Sequence, residues 1–315
     1  MRVLVTGASG FAGPYLVRAL AAHGHEVHGL VRPTGSAASL AGAPVAVHRA
    51  DVLDAPALGA VFERVRPDAV CHLAALSFVP DAERDPAGAY RVNVDGTLAM
   101  LSALRHHAPR ARFLYVGSSD AYGAVLSDDL PIDEEVAFRP LTVYGASKAA
   151  AELTAAQWGR AYGLDVVRAR PFNHTGPGQT PAFVCPALAR QIAEVEAGRQ
   201  PPVLRVGNLD PVRDLSDVRD MAAGYVALLE RGLSSHAYNL CSGVGRSIRE
   251  VVDVFRSLAR VPIDVAQDPA LTRRVEVPSL IGSAERALAD TGWRPLIPFE
   301  QTAADLLAWW RSREP

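Results

Sequence analysis

Cysteine is scarce in this chain: three in 315 residues, Cys71, Cys185 and Cys241, far apart and set in apolar surroundings. That number and spacing exclude a disulfide framework and the paired Cys-x-x-Cys ligands of a structural metal, and they point to a reducing compartment. A run of about 18 apolar residues is also missing, so no membrane-spanning helix is expected. The opening MRVLVTG is too short, and too soon cut by glycine, to act as a signal-peptide core, which makes the cytoplasm the expected location. Nor is there an excess of charge: 32 basic against 34 acidic side chains leave a net charge of −2, and the arginines are dispersed. Nucleic acid and membrane surfaces are therefore not expected partners, whereas a small phosphorylated ligand is compatible. Repeats and low-complexity tracts are lacking as well, and 49% hydrophobic with 21% charged residues is the composition of a compact protein.

What the chain does have is alternation. Short apolar runs (Arg2 to Val5, Glu26 to Val31, Val45 to His48, Ala69 to Leu73, Arg112 to Val116) are separated by helical patterns, such as those holding Leu16, Val17 and Leu20 or spanning Gly96 to Arg105. Near-continuous apolar strands between helices predict an α/β fold, a doubly wound parallel sheet of the Rossmann type covered on both faces. A helix over Tyr144 to Tyr162 and a strand over Val166 to Arg170 continue it, with Gly163 and Asp165 at the break. After Pro171 the βα rhythm is lost. The expected division is a cofactor-binding domain over 1–170 with a return segment at about 215–241, and a smaller mixed α/β C-terminal lobe from 171–214 and 242–315 that binds substrate.

Directly after the first strand comes Thr6-Gly7-Ala8-Ser9-Gly10-Phe11-Ala12-Gly13, a GxxGxxG loop opening a helix. Glycines in this place permit a tight turn and close backbone approach, and the helix N-terminus offers free N–H groups to a pyrophosphate. At the first strand–helix junction of a parallel sheet the pattern indicates a dinucleotide site. About twenty residues on, where an acid would serve the ribose hydroxyls of NAD, stand Val31 and Arg32. An arginine there suits a 2′-phosphate and favours NADP(H) over NAD(H); the alternative is an arginine on a solvated loop. Asp51 is placed either to touch the adenine or to cap the next helix.

Tyr144 and Lys148, in VYGASK, lie four residues apart on one helix face. Alone the spacing is common, but Gly117-Ser118-Ser119-Asp120-Ala121-Tyr122-Gly123 ends the preceding strand, where ligands of doubly wound sheets collect. The expectation is that the ammonium favours the ionised phenol, bringing a pKa of about 10 nearer neutrality, and that Tyr144 exchanges a proton with an alcohol or ketone while Ser118 or Ser119 holds its oxygen.

With HLAA at His72 to Ala75 and NVDGT at Asn93 to Thr97, these motifs fall in one order over nearly the whole chain, and the sequence resembles the extended short-chain dehydrogenase/reductase family of NAD(P)-dependent nucleotide-sugar enzymes. The resemblance implies Tyr144 as general acid/base, Lys148 on the nicotinamide ribose, Ser118 on the substrate's C4 oxygen and Asn93 as a structural or relay residue. It also implies that Val52, Leu73, Ala74, Ala75 and Pro171 face the cofactor and that Ser77 and Val184 face the substrate. Members are commonly homodimers through a helical bundle.

Further on, RPFNHTGPGQ (Arg170 to Gln179), VGNLDPVRDLSDVRD (Val206 to Asp220) and RRVEVP (Arg273 to Pro278) resemble segments of GDP-6-deoxy-4-keto-mannose reductases and GDP-mannose 4,6-dehydratases. Asn173, Arg213 and Arg273 suit the diphosphate, Arg213 with Asp214 or Asp217 as alternative ion-pair partners, and Glu276 suits the ribose or base. His174 reads as a positioning residue, and no metal site is expected. A dehydratase needs an extra acid/base where its loop carries Glu and this chain carries Asp120, one methylene shorter. The favoured reading is therefore NADPH-dependent reduction of the C4 ketone of a GDP-4-keto-6-deoxyhexose to a product such as GDP-D-rhamnose. A 4,6-dehydratase, an epimerase and a non-catalytic NADP(H) sensor are the alternatives.

Overall fold

The computed structural model describes residues 1–271 and 277–313. Its first half comprises β1 (Arg2–Thr6), α1 (Gly13–Ala22), β2 (Glu26–Val31), β3 (Ala46–Arg49), α2 (Ala55–Val65), β4 (Ala69–His72), α3 (Val79–Arg84), α4 (Pro86–Tyr90), α5 (Gly96–His107) and β5 (Arg112–Val116). Then follow α6 (Val143–Tyr162), β6 (Val166–Pro171), β7 (Asn173–Thr175), α7 (Val184–Glu196), β8 (Val203–Val206), β9 (Val212–Asp217), α8 (Val218–Arg231) and β10 (Ala237–Leu240). The chain continues through β11 (Gly245–Ser247), α9 (Ile248–Ser257), β12 (Asp264–Gln267), β13 (Ser279–Leu280), α10 (Glu285–Thr291) and α11 (Phe299–Arg311). Among the described residues no helix is long and apolar enough to cross a membrane.

Seven strands form one parallel sheet in the order β10-β6-β5-β4-β1-β2-β3. This is the doubly wound α/β fold that the apolar runs predict. Side chains alternate between faces along a strand, so a strand buried on both sides must be apolar throughout. In β1, Val3 and Val5 pack with Leu16, Val17 and Leu20 of α1 and with Tyr225 and Leu228 of α8. The intervening Leu4 packs on the opposite face with Leu58 and Phe62 of α2 and Leu101 and Leu104 of α5. Winding reverses between β1 and β4, and the crevice beyond their C-terminal ends is the place where such sheets take ligands.

The helix bearing VYGASK starts where it does because the Thr142 side chain accepts from the Gly145 N–H at 3.0 Å, and it stops at Gly163 in the left-handed region, φ 65°. Gly145 is needed at this spot: a Cβ there would lie 2.4 Å from the Asp120 carbonyl oxygen. Its absence lets α6 dock against the turn after β5, bringing Tyr144 beside that loop.

The remaining strands build a second layer: β11-β9-β13 with β7 added to β9, and a separate β12-β8 pair. Leu188 and Ile192 of α7, Val251 and Phe255 of α9 and Leu306 and Leu307 of α11 share its core. Two buried aspartates of β9 tie this layer together. Asp214 accepts from the backbone N–H groups of Ser242 (2.7 Å) and Gly243 (2.8 Å), while Asp217 caps α8 through Arg219 N (2.7 Å) and accepts from Thr302 Oγ1 of α11 (2.8 Å).

Candidate active site

A cleft of about 830 Å³ opens over the strand ends. Its walls are the glycine-rich loop (Gly7, Ser9, Gly10, Phe11, Gly13), Arg32 after β2, Asp51 and Val52 after β3, and Leu73, Ala74, Ala75 and Ser77 after β4. Ser118, Ser119 and Asp120 after β5, Tyr144 and Lys148 of α6, Pro171, Asn173 and Arg213 close the other side. Residues far apart in sequence are thus gathered in one place. Val184 departs from expectation: it begins α7 as an exposed side chain, and the preceding Phe183 faces the cleft, edge-on to Phe78 at 5.6 Å. Arg273 and Glu276 lie outside the described residues.

The glycine-rich loop is shaped as a cradle for a backbone-bound anion. Gly7 has φ 65°, and a Cβ on it would stand 2.8 Å from the Ala74 N, while one on Gly13 would stand 2.2 Å from the Ala8 carbonyl oxygen. With no side chains there, the first turn of α1 is open toward the cleft, and these residues fit a dinucleotide pyrophosphate. Asp51 resolves in favour of the cleft: Asp54 is the residue that caps α2, accepting from Ala57 N at 3.0 Å, and Asp51 accepts from Leu53 N at 2.9 Å. His174 stacks on Phe11, centroids 6.0 Å apart, and Tyr15 Oη donates to the Pro177 carbonyl at 2.7 Å, so the FNHTGPGQ segment leans on the glycine-rich loop. Asp214 and Asp217 are occupied by the bonds described above, and Arg213 turns one guanidinium N–H back to its neighbour's Val212 carbonyl at 2.8 Å.

At the floor, Tyr144 and Ser118 line the cleft together, and the Ser118 side chain acts on the phenol. Lys148 is 5% exposed, donates from Nζ to the Val116 carbonyl and sits 4.7 Å from the Tyr115 ring centroid. The expected lowering of the tyrosine pKa is not found here. Burial raises it, the Asp120 carboxylate adds to that rise, and the Ser118 side chain opposes both. The ammonium is directed at the Val116 carbonyl, and burial pushes the lysine down to about 7 against the attraction of Glu152. The phenol is therefore held as a proton donor.

Asn93 clamps the site from behind. In a wide helical turn it donates to the Leu76 carbonyl (3.2 Å) and Ser147 Oγ (2.8 Å) and accepts from Leu76 N (2.8 Å), so it joins the loop after β4 to α6. A buried relay supports it: Ala74 N to Thr6 Oγ1 (3.1 Å), Thr6 Oγ1 to His72 Nδ1 (2.8 Å), His72 Nε2 to Thr97 Oγ1 (3.1 Å), Thr97 Oγ1 to the Asn93 carbonyl (2.7 Å). Thr97 donates to the Asn93 carbonyl, so His72 Nε2 carries a proton and donates to Thr97 Oγ1, and in the neutral ring Nδ1 accepts from Thr6 Oγ1. Burial, with Lys148 adding to it, pushes His72 down to about 3. The unfolded chain therefore takes up a proton below about pH 6.5 that the folded one refuses, and stability falls with pH through that window. This group should remove about 2 kcal/mol between pH 7 and pH 5. Urea unfolding of the native chain and of His72→Asn at both values tests it: the variant should show the smaller loss, and equal losses would remove His72 from the explanation.

Sequence reasoning passed over several residues. Glu152, 1% exposed, accepts two bonds on Oε1 from Arg170, at 2.8 and 2.7 Å, and Arg170 also donates to Tyr122 Oη at 2.8 Å. A signal for Glu152 was present: it stands four residues after Lys148 in an alanine-rich helix face that already carries Tyr144. Tyr225 of α8 and the pair Phe78 and Phe183 also line the cleft, and no local pattern marks them.

A parallel sheet with a glycine-rich nucleotide cradle and a serine, tyrosine and lysine at its switch point is the architecture of a nucleotide-dependent oxidoreductase. The profile of the GDP-mannose 4,6 dehydratase family matches residues 4–306, and the chain belongs to that family. It is 42% identical over 312 residues to the GDP-6-deoxy-D-mannose reductase of Pseudomonas aeruginosa, covering 99% of this chain and 98% of that one. To the GDP-mannose 4,6 dehydratase 2 of Arabidopsis thaliana it is 30% identical, over 95% of this chain and 83% of the relative. Among solved structures, RMD from Pseudomonas aeruginosa complexed with NADPH superposes with a TM-score of 0.87 at 40% identity, covering 99% of both chains. The Thermus thermophilus UDP-glucose 4-epimerase complex with NAD gives 0.88 at 29% identity, covering 100% of both.

Proposed function

We propose that the protein reduces the C4 ketone of a GDP-4-keto-6-deoxyhexose, GDP-4-keto-6-deoxy-mannose, to a GDP-6-deoxyhexose such as GDP-D-rhamnose. The observation that carries this reading is the Tyr144 phenol, kept protonated by burial and by Asp120 and set beside Ser118 on the floor of a nucleotide-sized cleft. NADPH supplies the hydride when bound, and NADH is the alternative donor. Gly7, Ser9, Gly10 and Gly13 would hold its pyrophosphate, Arg32 its 2′-phosphate and Lys148 its nicotinamide ribose. Ser118, with Ser119 beside it, orients the ketone oxygen, and Tyr144 Oη gives that oxygen its proton. Arg213 and Asn173 serve the nucleoside diphosphate, a role the family resemblance extends to Arg273 and Glu276.

The direct test is NADPH absorbance on mixing with GDP-4-keto-6-deoxy-mannose. Loss of one NADPH per ketone is expected; no loss, with a 4-keto product formed from GDP-mannose and NADP⁺, would transfer the assignment to a 4,6-dehydratase. That second reading draws on the Asp120 carboxylate, which lines the cleft and acts electrostatically on Tyr144. Homodimerisation belongs to the same proposal. Leu98 on α5 and Leu153 and Tyr162 on α6 are exposed by 40%, 59% and 43%, an apolar surface suited to a second copy. Light scattering should give twice the 33.5 kDa chain mass, and Leu153→Glu should return the monomer. A cytoplasmic setting is part of this reading.

A further inference from the structure

The cleft rests on a buried charge that the reaction as proposed does not use. Glu152 lies one helical turn beyond Lys148 on the same face of α6, and neither is more than 5% exposed. Its two oxygens are used unequally. Oε1 takes Arg170 at 2.7 Å and faces Arg168 at 3.5 Å, whereas Oε2 is buried with no hydrogen-bond partner among the described residues. Oε2 lies 3.0 Å from where a Gly117 Cβ would stand, beside the strand end whose Val116 carbonyl receives the Lys148 ammonium. A counter-ion serving only to neutralise Arg170 would turn both oxygens to the guanidinium in the forked arrangement that arginine favours. Here one oxygen is left without a hydrogen-bond partner beside Gly117.

We propose that Glu152 is a positioning residue, holding Lys148 as an ammonium and keeping that ammonium on the Val116 carbonyl. The groups around Tyr144 and Lys148 leave this task to Glu152. His72 of β4 is kept neutral by burial, and Tyr115 of β5, Tyr144 and Tyr225 of α8 are raised by burial and stay protonated near neutral pH. Arg168 and Arg170 of β6 are cations paired with Glu152, and Asp120 acts on Tyr144. Burial alone drives Lys148 toward the neutral amine, and Glu152 is the attraction that opposes it. The inference rests on reading Lys148 as working in its charged form.

Lys148 is the only lysine in the chain, so protein grown on lysine labelled at Cε with ¹³C gives one side-chain resonance needing no assignment. Its titration should have a midpoint near neutral in the full-length native chain. Glu152→Gln should move the midpoint down by about one unit or more, a tenfold smaller charged fraction above it. Glu152→Asp should restore most of the shift, and NADPH affinity of the Gln variant should fall about tenfold at pH 7.5 and recover toward pH 6. An unchanged midpoint in Glu152→Gln would make Glu152 only the counter-ion of Arg170 and overturn the proposal. Should that variant fail to fold, Glu152→Asp decides: the shortened carboxylate should lower the midpoint measurably but by less than one unit, and no change overturns the proposal. The titration needs no sugar substrate, so a wrong assignment of the reaction would leave it standing.

Discussion

Tyr144→Phe should lower kcat for ketone reduction about a thousandfold while leaving NADPH binding within about threefold of the native value. The ring stays, so the wall of the cleft is conserved; what disappears is the hydroxyl beside Ser118 that would protonate the new alkoxide. Because burial and Asp120 raise the phenol, the donor stays protonated over the whole neutral range, and the activity limb near neutral pH belongs to Lys148, which burial brings down to about 7. The variant should keep that limb at its much lower rate. Stopped-flow absorbance reads the chemical step and fluorescence titration reads cofactor binding. A variant turning over at the native rate would remove tyrosine acid catalysis; one that loses NADPH affinity equally would make the hydroxyl a binding group.

The direction of the tyrosine shift shows where sequence reasoning reached its limit. Strands, order of motifs and the residues of the cleft were legible because they follow from local rules: apolar runs for a sheet covered on both faces, glycines where backbone approaches backbone, and i,i+4 spacing on α6. Charge states were not legible, because they depend on which groups share a buried volume. Lys148 was expected to act on Tyr144, yet the ammonium is turned to the Val116 carbonyl and the nearest influential charge on the phenol is Asp120. Asp51 against Asp54 as the cap of α2 was undecidable from sequence, since both aspartates stand just ahead of the helix and only backbone geometry selects between them. Phe183 displaced Val184 for a similar reason: at a helix start, neighbouring side chains diverge by about 100° and a motif does not say which one faces the cleft.

Lys148→Met should inactivate the enzyme and make the fold more stable. In the unfolded chain the amine binds its proton up to about pH 10.5, but in the folded chain only up to about 7. Between those values the unfolded state carries the extra proton, so folding is penalised more as pH falls from 10.5 to 7, and the penalty is complete at lower pH. At neutral pH it amounts to about 4 kcal/mol. Methionine fills a similar volume without a charge to desolvate; losing the bond to Val116 and the attraction of Glu152 takes back part of the gain. Glu152 does not become an unpaired charge, because Arg170 keeps its two short contacts with it. A net gain of about 2 kcal/mol is expected at pH 7, a rise in Tm of a few degrees, shrinking to nothing above pH 11. Loss of about a hundredfold or more in kcat/KM should accompany it, since the proposed contact of the ammonium with the nicotinamide ribose goes. Paired melting curves at pH 7 and pH 11 decide the matter: a variant less stable at both would mean that the lysine is a structural tie, whereas greater stability with no activity identifies a charge kept in the core at the expense of the fold because the reaction needs it.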